Sequence, residues 1–557
     1  MSLKFKIAVI ILVFLHLHGG SQTYAWPVDS PRVITGNYGE IRPGHFHTGL
    51  DFSTNGKINY AVYSIEEGYV SRIKVSSVGY GRSVYVTHKD GKVSVYGHLN
   101  SFNSNIAPVV KNEQYAKRNY EIEIFPKPFS IKVKKHEYVG LSGNSGASTG
   151  PHLHFEIRDG QTEVPLNPLE YFSIQDTVDP TITEVGFYNL ADTSSPHYLA
   201  SYKVELKKNK TYAVKKDSVI LNQGILGFAF SGFDQFTPKG NTNNIFSAKV
   251  YFDDRLIYSH TLDNIDFADQ RFVNEFSELV EKTKTEKVLF QKCFVPTLHP
   301  LNFYDQYKNK GRILLTDTNF HKLKLSAIDE NANERVIEFY FKTRKLNYYG
   351  KPSINSDVYV DCRKDFMIAK KKLQIYIPAN TFYYSTGLIF ENTIESTGKI
   401  IILPTDANLR TTSIIGFEVP PKYMRNKSKL VLKSGSNVLP PIVNHDSVFY
   451  SVKNLGWFLL DQDTIAPQIK TQMTQLLFKK NKKTESVSFR VTDELSGIKK
   501  YNLFLNDKWV IGEYDAKNDL ITYFFDEDSP KTGDLNFKLE AEDRVGNKND
   551  FFRTLKR

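Results

Sequence analysis

The 557-residue sequence contains only two cysteines, Cys293 and Cys362, and four methionines. Two cysteines could form one disulfide but not a disulfide framework, so stability has to come from packed cores. They are also too few for a cysteine-based zinc site. The sequence lacks a long basic run and any recognised nucleic-acid-binding motif, which argues against a nucleic-acid partner.

Long apolar runs are missing after the N-terminus. Residues 1–25 begin with the basic MSLKFK, continue with the short apolar run IAVIILVFL and end in small or polar residues. This order is typical of a secretory signal peptide, and we predict cleavage after Ala25. The apolar run is about half the roughly 20 residues that span a bilayer, so no integral membrane span is expected after the signal is removed. We therefore expect an exported protein of the periplasm or cell envelope, or one that is released.

Aromatic residues are abundant, with 32 Tyr and 39 Phe. Such enrichment favours strands over helices and predicts a mainly β protein. A hydrophobic fraction of 40% and a charged fraction of 24% exclude disorder as the dominant state. The formal charge of +11 suits polyanionic surfaces such as a cell wall, although general solubility explains it equally well.

The pattern of turns divides the chain. Over residues 26–175, glycines recur at short intervals between alternating runs such as SVYVTH at 83–88, which predicts a domain of β hairpins. Residues 104–130 interrupt this pattern with a polar, aromatic stretch of no clear period. We interpret that stretch as a surface insertion.

An internal repeat follows. DTVDPTI at 176–182 recurs as DTIAPQI at 463–469, and KLSAIDENANE at 324–334 matches KLEAEDRVGNK at 538–548. Each copy opens on a proline-marked strand and closes with a strand that runs into an Asp/Asn turn. The repeat predicts two Ig-like β-sandwich domains of one type, residues 179–345 and 463–557. Residues 346–460 are expected to form a further β domain whose type the sequence leaves open.

Histidine is concentrated near the N-terminus, since seven of the 14 lie between positions 45 and 154. Four of these seven histidines lie in three short motifs: HTGLD (47–51), YGHL (96–99) and GPHLHFE (150–156). Side chains alternate along a strand, so His152 and His154 share one face and could both reach one metal ion. Each motif alone occurs often by chance. Together they supply imidazoles and a carboxylate, which suit zinc.

A glycine-rich loop, GLSGNSGASTG at 140–150, leads into these histidines. Glycines allow unusual backbone conformations and the close approach of another chain. A phosphate-binding loop is the alternative, but Gly-Lys-Ser/Thr is missing and a strand follows in place of a helix.

HTGLD, YGHL and GNSGASTGPHLHFE, in this order, resemble the motifs of the lysostaphin-like, or LytM, zinc metallopeptidases. The resemblance covers residues 26–175 and implies an antiparallel β domain of the duplicated hybrid motif type, with its site in a groove. It also implies one Zn²⁺ ion held by His47, Asp51 and His154. His98 and His152 match the catalytic pair that activates water and stabilises the tetrahedral intermediate, and either one could be the base.

The resemblance implies a zinc-dependent endopeptidase that hydrolyses peptide bonds in the stem peptides or cross-links of peptidoglycan. The β-sandwich domains would then serve as spacers, as wall-binding modules or as contacts to other cell-envelope proteins. A catalytically silent LytM-type activator or scaffold of other wall hydrolases is the alternative. The insertion at 104–130 could border the groove and affect substrate choice or autoinhibition.

Overall fold

The computed structural model describes residues 24–557 except 175, 191–195, 208–209, 217–218, 239, 297–300, 346–355, 371, 405–407 and 480–481. Over these residues the chain is mainly β, as the aromatic composition predicts. None of the described helices combines the length and the apolar character needed to cross a membrane.

The predicted signal peptide, residues 1–25, lies outside the described residues except for its last two. Tyr24 stacks on Tyr171 at a ring-centroid distance of 5.5 Å, and its hydroxyl donates to Asp90. The backbone N–H of Ala25 donates to the carbonyl of Ile65 at 2.9 Å. A cut after Ala25 would remove these contacts.

The N-terminal unit contains short strands that form a large sheet of nine strands and two small sheets within the described residues. The strands are Ile34–Gly36, Ile41–Arg42, His45–Phe46, Leu50–Ser53, Ala61–Tyr63, Gly68–Val75, Ser83–His88, Lys92–Gly97, Ser101–Phe102, Ile122–Ile124, Lys132–Val133, Tyr138–Leu141, His152–Asp159 and Pro165–Leu166. The α-helix Ala107–Lys117 and the 3-10 helix Pro168–Glu170 complete the unit.

Alternation along the central strands separates the core from the polar face. In the strand His152–Asp159, the side chains of Leu153 and Phe155 are fully buried in the core, whereas His152 and His154 occupy the alternate positions. The neighbouring strand Leu50–Ser53 repeats this division. Polar side chains are thereby collected on one face of the sheet.

The segment 104–130 is more regular than its sequence indicated. It forms the α-helix Ala107–Lys117 and the strand Ile122–Ile124, which pairs with Gly68–Val75 at the edge of the large sheet. Only Val110 and Gln114 of the helix are buried. One buried apolar side chain gives no helical period, which is why the sequence pattern missed the helix.

The second unit is one extended sheet of 13 described strands around a large aromatic core. Its strands are Thr181–Asn189, His197–Leu206, Tyr212–Val214, Val219–Asn222, Gly224–Phe233, Ser247–Phe252, Arg255–Thr261, Ser277–Glu281, Lys287–Lys292, Tyr304–Tyr307, Ile313–Leu315, Phe320–Ile328 and Glu334–Arg344. Three short helices lie among them: Phe267–Phe272, Val273–Phe276 and Lys308–Gly311.

The third unit, which the sequence left untyped, consists of two sheets that share one core. Its strands are Val358–Val360, Phe366–Lys370, Leu373–Ile377, Thr386–Thr393, Lys399–Leu403, Asn408–Glu418, Leu430–Ser434, Asn437–Leu439, Ile442–Asn444, Ser447–Asn454 and Gly456–Gln462, and its 3-10 helix is Pro421–Lys429. Burial of both inner faces makes it a β-sandwich.

The fourth unit is a smaller sandwich of two four-stranded sheets around one core. Its strands are Gln468–Lys479, Lys482–Thr492, Ile498–Leu505, Lys508–Val510, Glu513–Asp515, Leu520–Phe524, Asp534–Asp543 and Lys548–Lys556.

The two cysteines do not form the disulfide that the sequence allowed. Cys293 lies in the core of the second unit and Cys362 in that of the third, and both are free and buried. Packed cores therefore carry the stability of the chain.

Candidate metal centre

The three residues expected to hold a metal come together on the polar face of the large sheet. His154 pairs with Asp51 on one neighbouring strand and with Gly97 on the other. His47 lies between the strands His45–Phe46 and Leu50–Ser53. Because antiparallel partners stand side by side, the register brings Asp51 and His154 into contact, and the segment between the two strands adds His47.

The donor atoms of His47, Asp51 and His154, which we call the histidine cluster, form a small triangle. Oδ1 of Asp51 lies 3.1 Å from Nε2 of His47 and 3.0 Å from Nδ1 of His154. The two imidazole nitrogens are 3.0 Å apart. Tetrahedral zinc with bonds near 2.0–2.1 Å separates its ligand atoms by about 3.3 Å. The donor types and their spacing therefore fit one zinc ion.

The ring nitrogen that faces away from the triangle is occupied in both histidines. Nδ1 of His47 lies 2.8 Å from the carbonyl oxygen of Asn37, and Nε2 of His154 lies 2.9 Å from Oε1 of Glu156. Such contacts fix the tautomer and the ring orientation of a metal ligand. Each histidine thus presents one defined nitrogen to the cluster.

His98 and His152 lie beside the cluster. Their rings are 4.8 Å apart, and the His98 ring is 5.8 Å from that of His154. Nδ1 of His98 lies 2.8 Å from the carbonyl of Ser145, and Nδ1 of His152 lies 2.8 Å from that of Gly150. In both rings Nε2 is the nitrogen left for chemistry, and that of His152 is 3.4 Å from Oδ1 of Asp51.

His98 adopts a left-handed backbone conformation, with φ of 57° directly after the strand Lys92–Gly97. This conformation costs an ordinary side chain roughly 1–2 kcal/mol. The hydrogen bond from its N–H to the carbonyl of Tyr80 (2.8 Å) and the contact of Nδ1 with Ser145 hold it there. Strain that the surroundings support in this way is common at functional sites.

The protonation states suit metal binding at two of the three ligands. Burial lowers the pKa of His47. Burial would raise the pKa of Asp51, but the charge of His47 and hydrogen bonds from the surrounding histidines outweigh it and hold this pKa well below its usual range. Burial lowers the pKa of His154 as well, yet the hydrogen bonds with Asp51 and Glu156 raise it to about 9. Binding at Nδ1 of His154 therefore has to displace a proton.

His98 is neutral near physiological pH. Burial, and after it the charges of His154 and His152, lower its pKa to about 3. A neutral imidazole can accept a proton, which a general base requires.

Two surrounding residues, Arg42 and Tyr80, make contacts that the motifs did not reveal. Nη2 of Arg42 lies 2.6 Å from Oδ2 of Asp51, so this ion pair fixes the carboxylate while Oδ1 faces the cluster. The Tyr80 ring stacks on His154 at 4.9 Å, and its hydroxyl donates to Glu156. No spacing in the sequence marks Arg42, and Tyr80 lies between two glycines, Gly79 and Gly81, outside the three motifs.

The glycine-rich loop packs closely, as its composition predicts. A Cβ at Gly146 would lie 2.3 Å from both the carbonyl oxygen of Gly79 and the backbone nitrogen of Gly81. A side chain at this position would push the loop away from the turn that carries Tyr80. The close approach positions Ser145, whose carbonyl contacts His98.

The fourth unit also reaches this loop. Nζ of Lys517 donates to the carbonyl oxygens of Asn144 and of Ser148, the latter at 3.0 Å. Glu513 forms an ion pair with Arg82. The fourth unit therefore belongs to the surroundings of the site, although it is remote in sequence.

The helix Ala107–Lys117 contacts the fourth unit too. Lys111 pairs with Asp526 (2.9 Å) and with Asp528 (2.8 Å), and Tyr115 packs edge-on against Trp509. The segment 104–130 thus connects the first and fourth units.

Comparison with known proteins identifies the N-terminal segment. Residues 45–122 match the model of peptidase family M23. The chain is 34% identical over 129 residues to an uncharacterized metalloprotease of Haemophilus influenzae, covering 23% of this chain and 21% of that protein. It is 31% identical over 124 residues to the DD-carboxypeptidase/endopeptidase Mpg of Neisseria meningitidis, covering 22% of each. It is 29% identical over 138 residues to the peptidoglycan DD-endopeptidase ShyA of Vibrio cholerae, covering 24% of this chain and 26% of that one.

The chain thus spans about a fifth to a quarter of the length of these curated relatives. The matched segment contains His47, Asp51 and His98, whereas His152 and His154 follow it. Residues 45–122 of the chain are a peptidase family M23 domain.

Proposed function

We propose that the chain is an exported zinc metalloendopeptidase that hydrolyses peptide bonds in the stem peptides or cross-links of peptidoglycan. The observation that carries the proposal is the histidine cluster, whose three donor atoms lie 3.0–3.1 Å apart beside two further histidines. The M23 match and relatives named DD-carboxypeptidase/endopeptidase and peptidoglycan DD-endopeptidase support this substrate class.

In this proposal His47, Asp51 and His154 hold the zinc ion and leave one tetrahedral position open. Zinc, when bound, lowers the pKa of water and polarises a carbonyl group. Asn37 and Glu156 orient the two imidazoles, and Arg42 holds the second oxygen of Asp51. The ligands are therefore arranged before the metal arrives.

His98 and His152 handle the proton. Each has Nδ1 fixed by a backbone carbonyl, so each can accept or return a proton at Nε2. One of them accepts the proton of the attacking water, and the other donates a hydrogen bond to the oxygen that becomes negative in the tetrahedral intermediate. The pair remains open to either assignment.

We further propose that residues 1–25 are a removed signal peptide and that the mature chain acts in the periplasm or cell envelope, or after release. The M23 domain extends over residues 26–175. The segments 179–345, 346–460 and 463–557 are separate β domains, the first and last of one Ig-like type. The contacts of Lys517 and Glu513 with the N-terminal unit support a role for the last domain at the substrate groove.

Mass spectrometry of fragments released from purified peptidoglycan tests the proposal. The mature protein should convert cross-linked dimers into monomers, a zinc chelator should stop the reaction and added zinc should restore it. Absence of cleavage by protein that contains zinc would contradict the proposal and favour a LytM-type activator of other wall hydrolases.

A further inference from the structure

Three aspartates converge at the entrance to the second unit. Asp176 lies in the segment that leads into the strand Thr181–Asn189, whereas Asp234 and Asp329 each follow the last residue of a strand. One carboxylate oxygen from each of the three lies within 4.8 Å of the other two. We call this group the aspartate cluster.

Burial makes this arrangement costly. The exposed fractions of Asp176, Asp234 and Asp329 are 7%, 1% and 2%. Among the described residues, no lysine, arginine or histidine forms an ion pair with any of them. Several buried carboxylates without a counter-charge oppose folding strongly unless a cation or protons neutralise them.

Asp234 is the least satisfied member of the cluster. Both of its carboxylate oxygens are buried, and neither accepts a hydrogen bond of normal geometry from the described residues. Oδ2 of Asp176 is buried in the same way. Buried oxygens without a donor are rare in folded proteins, and an unfilled ion site is one of their few explanations.

Asp329, by contrast, is held rigidly. Its Oδ1 accepts the N–H groups of Asn331 (2.9 Å) and Asn333 (2.8 Å), and its Oδ2 accepts the side-chain amide of Asn333 at 2.8 Å. The same amide also donates to the backbone carbonyl of Asp176 at 3.2 Å. The cluster thus combines a fixed carboxylate with buried carboxylate oxygens that accept no hydrogen bond of normal geometry from the described residues.

The pKa of Asp234 reflects the cost of its burial beside two other carboxylates. Burial, and then the neighbouring charges of Asp176 and Asp329, raise its pKa to about 7. Burial also raises the pKa of Asp176 and that of Asp329. A bound cation would relieve the burial cost and the mutual repulsion of the three groups.

We propose that Asp176, Asp234 and Asp329 bind a divalent cation of the Ca²⁺ class. All the donors are oxygens, which are hard ligands that suit Ca²⁺ or Mg²⁺ and not zinc. Ca²⁺ accepts six to eight oxygens in flexible geometry, so three carboxylates and added water can form its shell. Mg²⁺ demands near-ideal octahedral geometry and gives up its water reluctantly, which makes Ca²⁺ the better fit.

The site would join the incoming chain to the second unit, because Asp176 precedes that unit and the other two ligands belong to it. A short chain of contacts also leads from it to the histidine cluster. Oε1 of Glu330, the residue after Asp329, accepts the side-chain amide of Asn37 at 2.7 Å. The carbonyl of Asn37 in turn contacts Nδ1 of His47. Calcium would therefore stiffen the segment that orients one zinc ligand.

A second acidic group, Asp463, Asp493 and Asp543, repeats this arrangement in the fourth unit. Asn547 there donates to the carbonyl of Asp463 and to Oδ2 of Asp543, as Asn333 does in the second unit. Its oxygens are better satisfied, since Oδ2 of Asp463 accepts the N–H of Ser496 at 2.9 Å. Asp493 is only partly buried. The proposal is therefore confined to the aspartate cluster, and the second group serves as its comparison.

Calorimetric titration and thermal unfolding of the full mature protein, with CaCl₂ or MgCl₂ after removal of Ca²⁺ by EGTA, test the site. Unaltered protein should bind Ca²⁺ more tightly than Mg²⁺, and Ca²⁺ should raise its unfolding temperature. Asp234→Asn should weaken Ca²⁺ binding by at least about tenfold, because a charged ligand is lost. Asp493→Asn, which removes a carboxylate of the second acidic group, should leave this binding within about twofold of the unaltered protein.

The variant also separates a binding role from a structural one. In EGTA, Asp234→Asn should unfold at the same temperature as the unaltered protein or higher, because it removes a buried unpaired charge. In saturating Ca²⁺ the unaltered protein should instead unfold at the higher temperature of the two. If Asp234→Asn does not fold, Asp176→Asn takes its place, and its Ca²⁺ response is compared with that of the unaltered protein in the same way.

Three outcomes would overturn the proposal. They are no Ca²⁺ or Mg²⁺ response of the unaltered protein, an unchanged Ca²⁺ response in the aspartate-cluster variant that folds, and loss of the response in Asp493→Asn alone. Tighter binding of Mg²⁺ than of Ca²⁺ would overturn the choice of calcium.

Discussion

The histidine cluster and the aspartate cluster differ in how their outer atoms are occupied. In the histidine cluster, Asn37 and Glu156 hold the far nitrogens of both imidazoles, and Arg42 holds the second oxygen of Asp51. In the aspartate cluster, neither oxygen of Asp234 accepts a hydrogen bond of normal geometry from the described residues. The first arrangement leaves one nitrogen or oxygen of each ligand for a small ion of fixed geometry, which suits zinc. The second leaves several oxygens for a larger ion of flexible geometry.

The two clusters also differ in their scaffold. Two ligands of the histidine cluster stand on adjacent paired strands, whose register fixes their separation. The aspartates lie at strand ends and in a connecting segment. We therefore expect chemistry at the rigid site and stabilisation of a junction at the other. The predictions below test this contrast, beginning with the largest effect.

His154→Ala should remove zinc and activity together. Two remaining ligands seldom hold the ion, so zinc content should fall to background and peptidoglycan cleavage by about three orders of magnitude or more. Elemental analysis and a cleavage assay on the same sample measure both. His45→Ala, which changes an exposed histidine nearby, is the matched control and should keep both. Full zinc content in His154→Ala would refute the ligand assignment.

His98→Ala should keep zinc and lose turnover. A lost proton-transfer group costs about 10²- to 10⁴-fold in kcat, whereas the metal ligands remain unchanged. Zinc content and kcat measured side by side, with His152→Ala as the paired variant, check this. If zinc disappeared from His98→Ala, the residue would act on the metal and not on the proton.

Glu156→Gln should weaken zinc binding without abolishing it. The change alters the acceptor at Nε2 of His154, and partners of metal-bound histidines contribute about 10- to 100-fold in affinity. Competition with a chromophoric chelator measures the dissociation constant. Thr48→Val removes a different contact of Glu156 and should have a smaller effect. Equal effects of the two changes would argue that Glu156 acts only through packing.

The two clusters should respond independently to their ions. Added Ca²⁺ should raise the unfolding temperature by a few degrees, since a ligand at a hundred times its Kd contributes about 2.7 kcal/mol. Because EGTA also removes zinc, the comparison uses His154→Ala, which should lack zinc and still show the same Ca²⁺-dependent rise. Scanning calorimetry with elemental analysis on one sample provides the measurement. A Ca²⁺ response that disappears in His154→Ala would show that the clusters are not separate sites.

The sequence predicted the parts of the fold that depend on local patterns. Alternation placed His152 and His154 on one face, and the structure has them there. The repeats at 324–334 and 538–548 share their hydrogen bonds, because Asn333 and Asn547 occupy matching positions. The helix Ala107–Lys117 escaped prediction because it buries too few apolar side chains to create a period.

The supporting contacts could not be predicted because they depend on how loops and strands pack and follow no local pattern. Arg42 and Tyr80 reach the histidine cluster only through sheet pairing and loop packing. The repeat motifs contain Asp176 and Asp329, but Asp234 lies outside them and completes the cluster from a separate strand end. Convergence of that kind is visible only in three dimensions.

Anomalous X-ray diffraction from crystals of the mature protein grown with zinc and calcium tests the central contrast most directly. The account predicts a zinc peak within about 2.0–2.2 Å of the donor atoms of His47, Asp51 and His154. It predicts a peak without a zinc edge about 2.3–2.6 Å from the oxygens of the aspartate cluster. Zinc among the aspartates, or a histidine cluster that stays empty in saturating zinc, would contradict it.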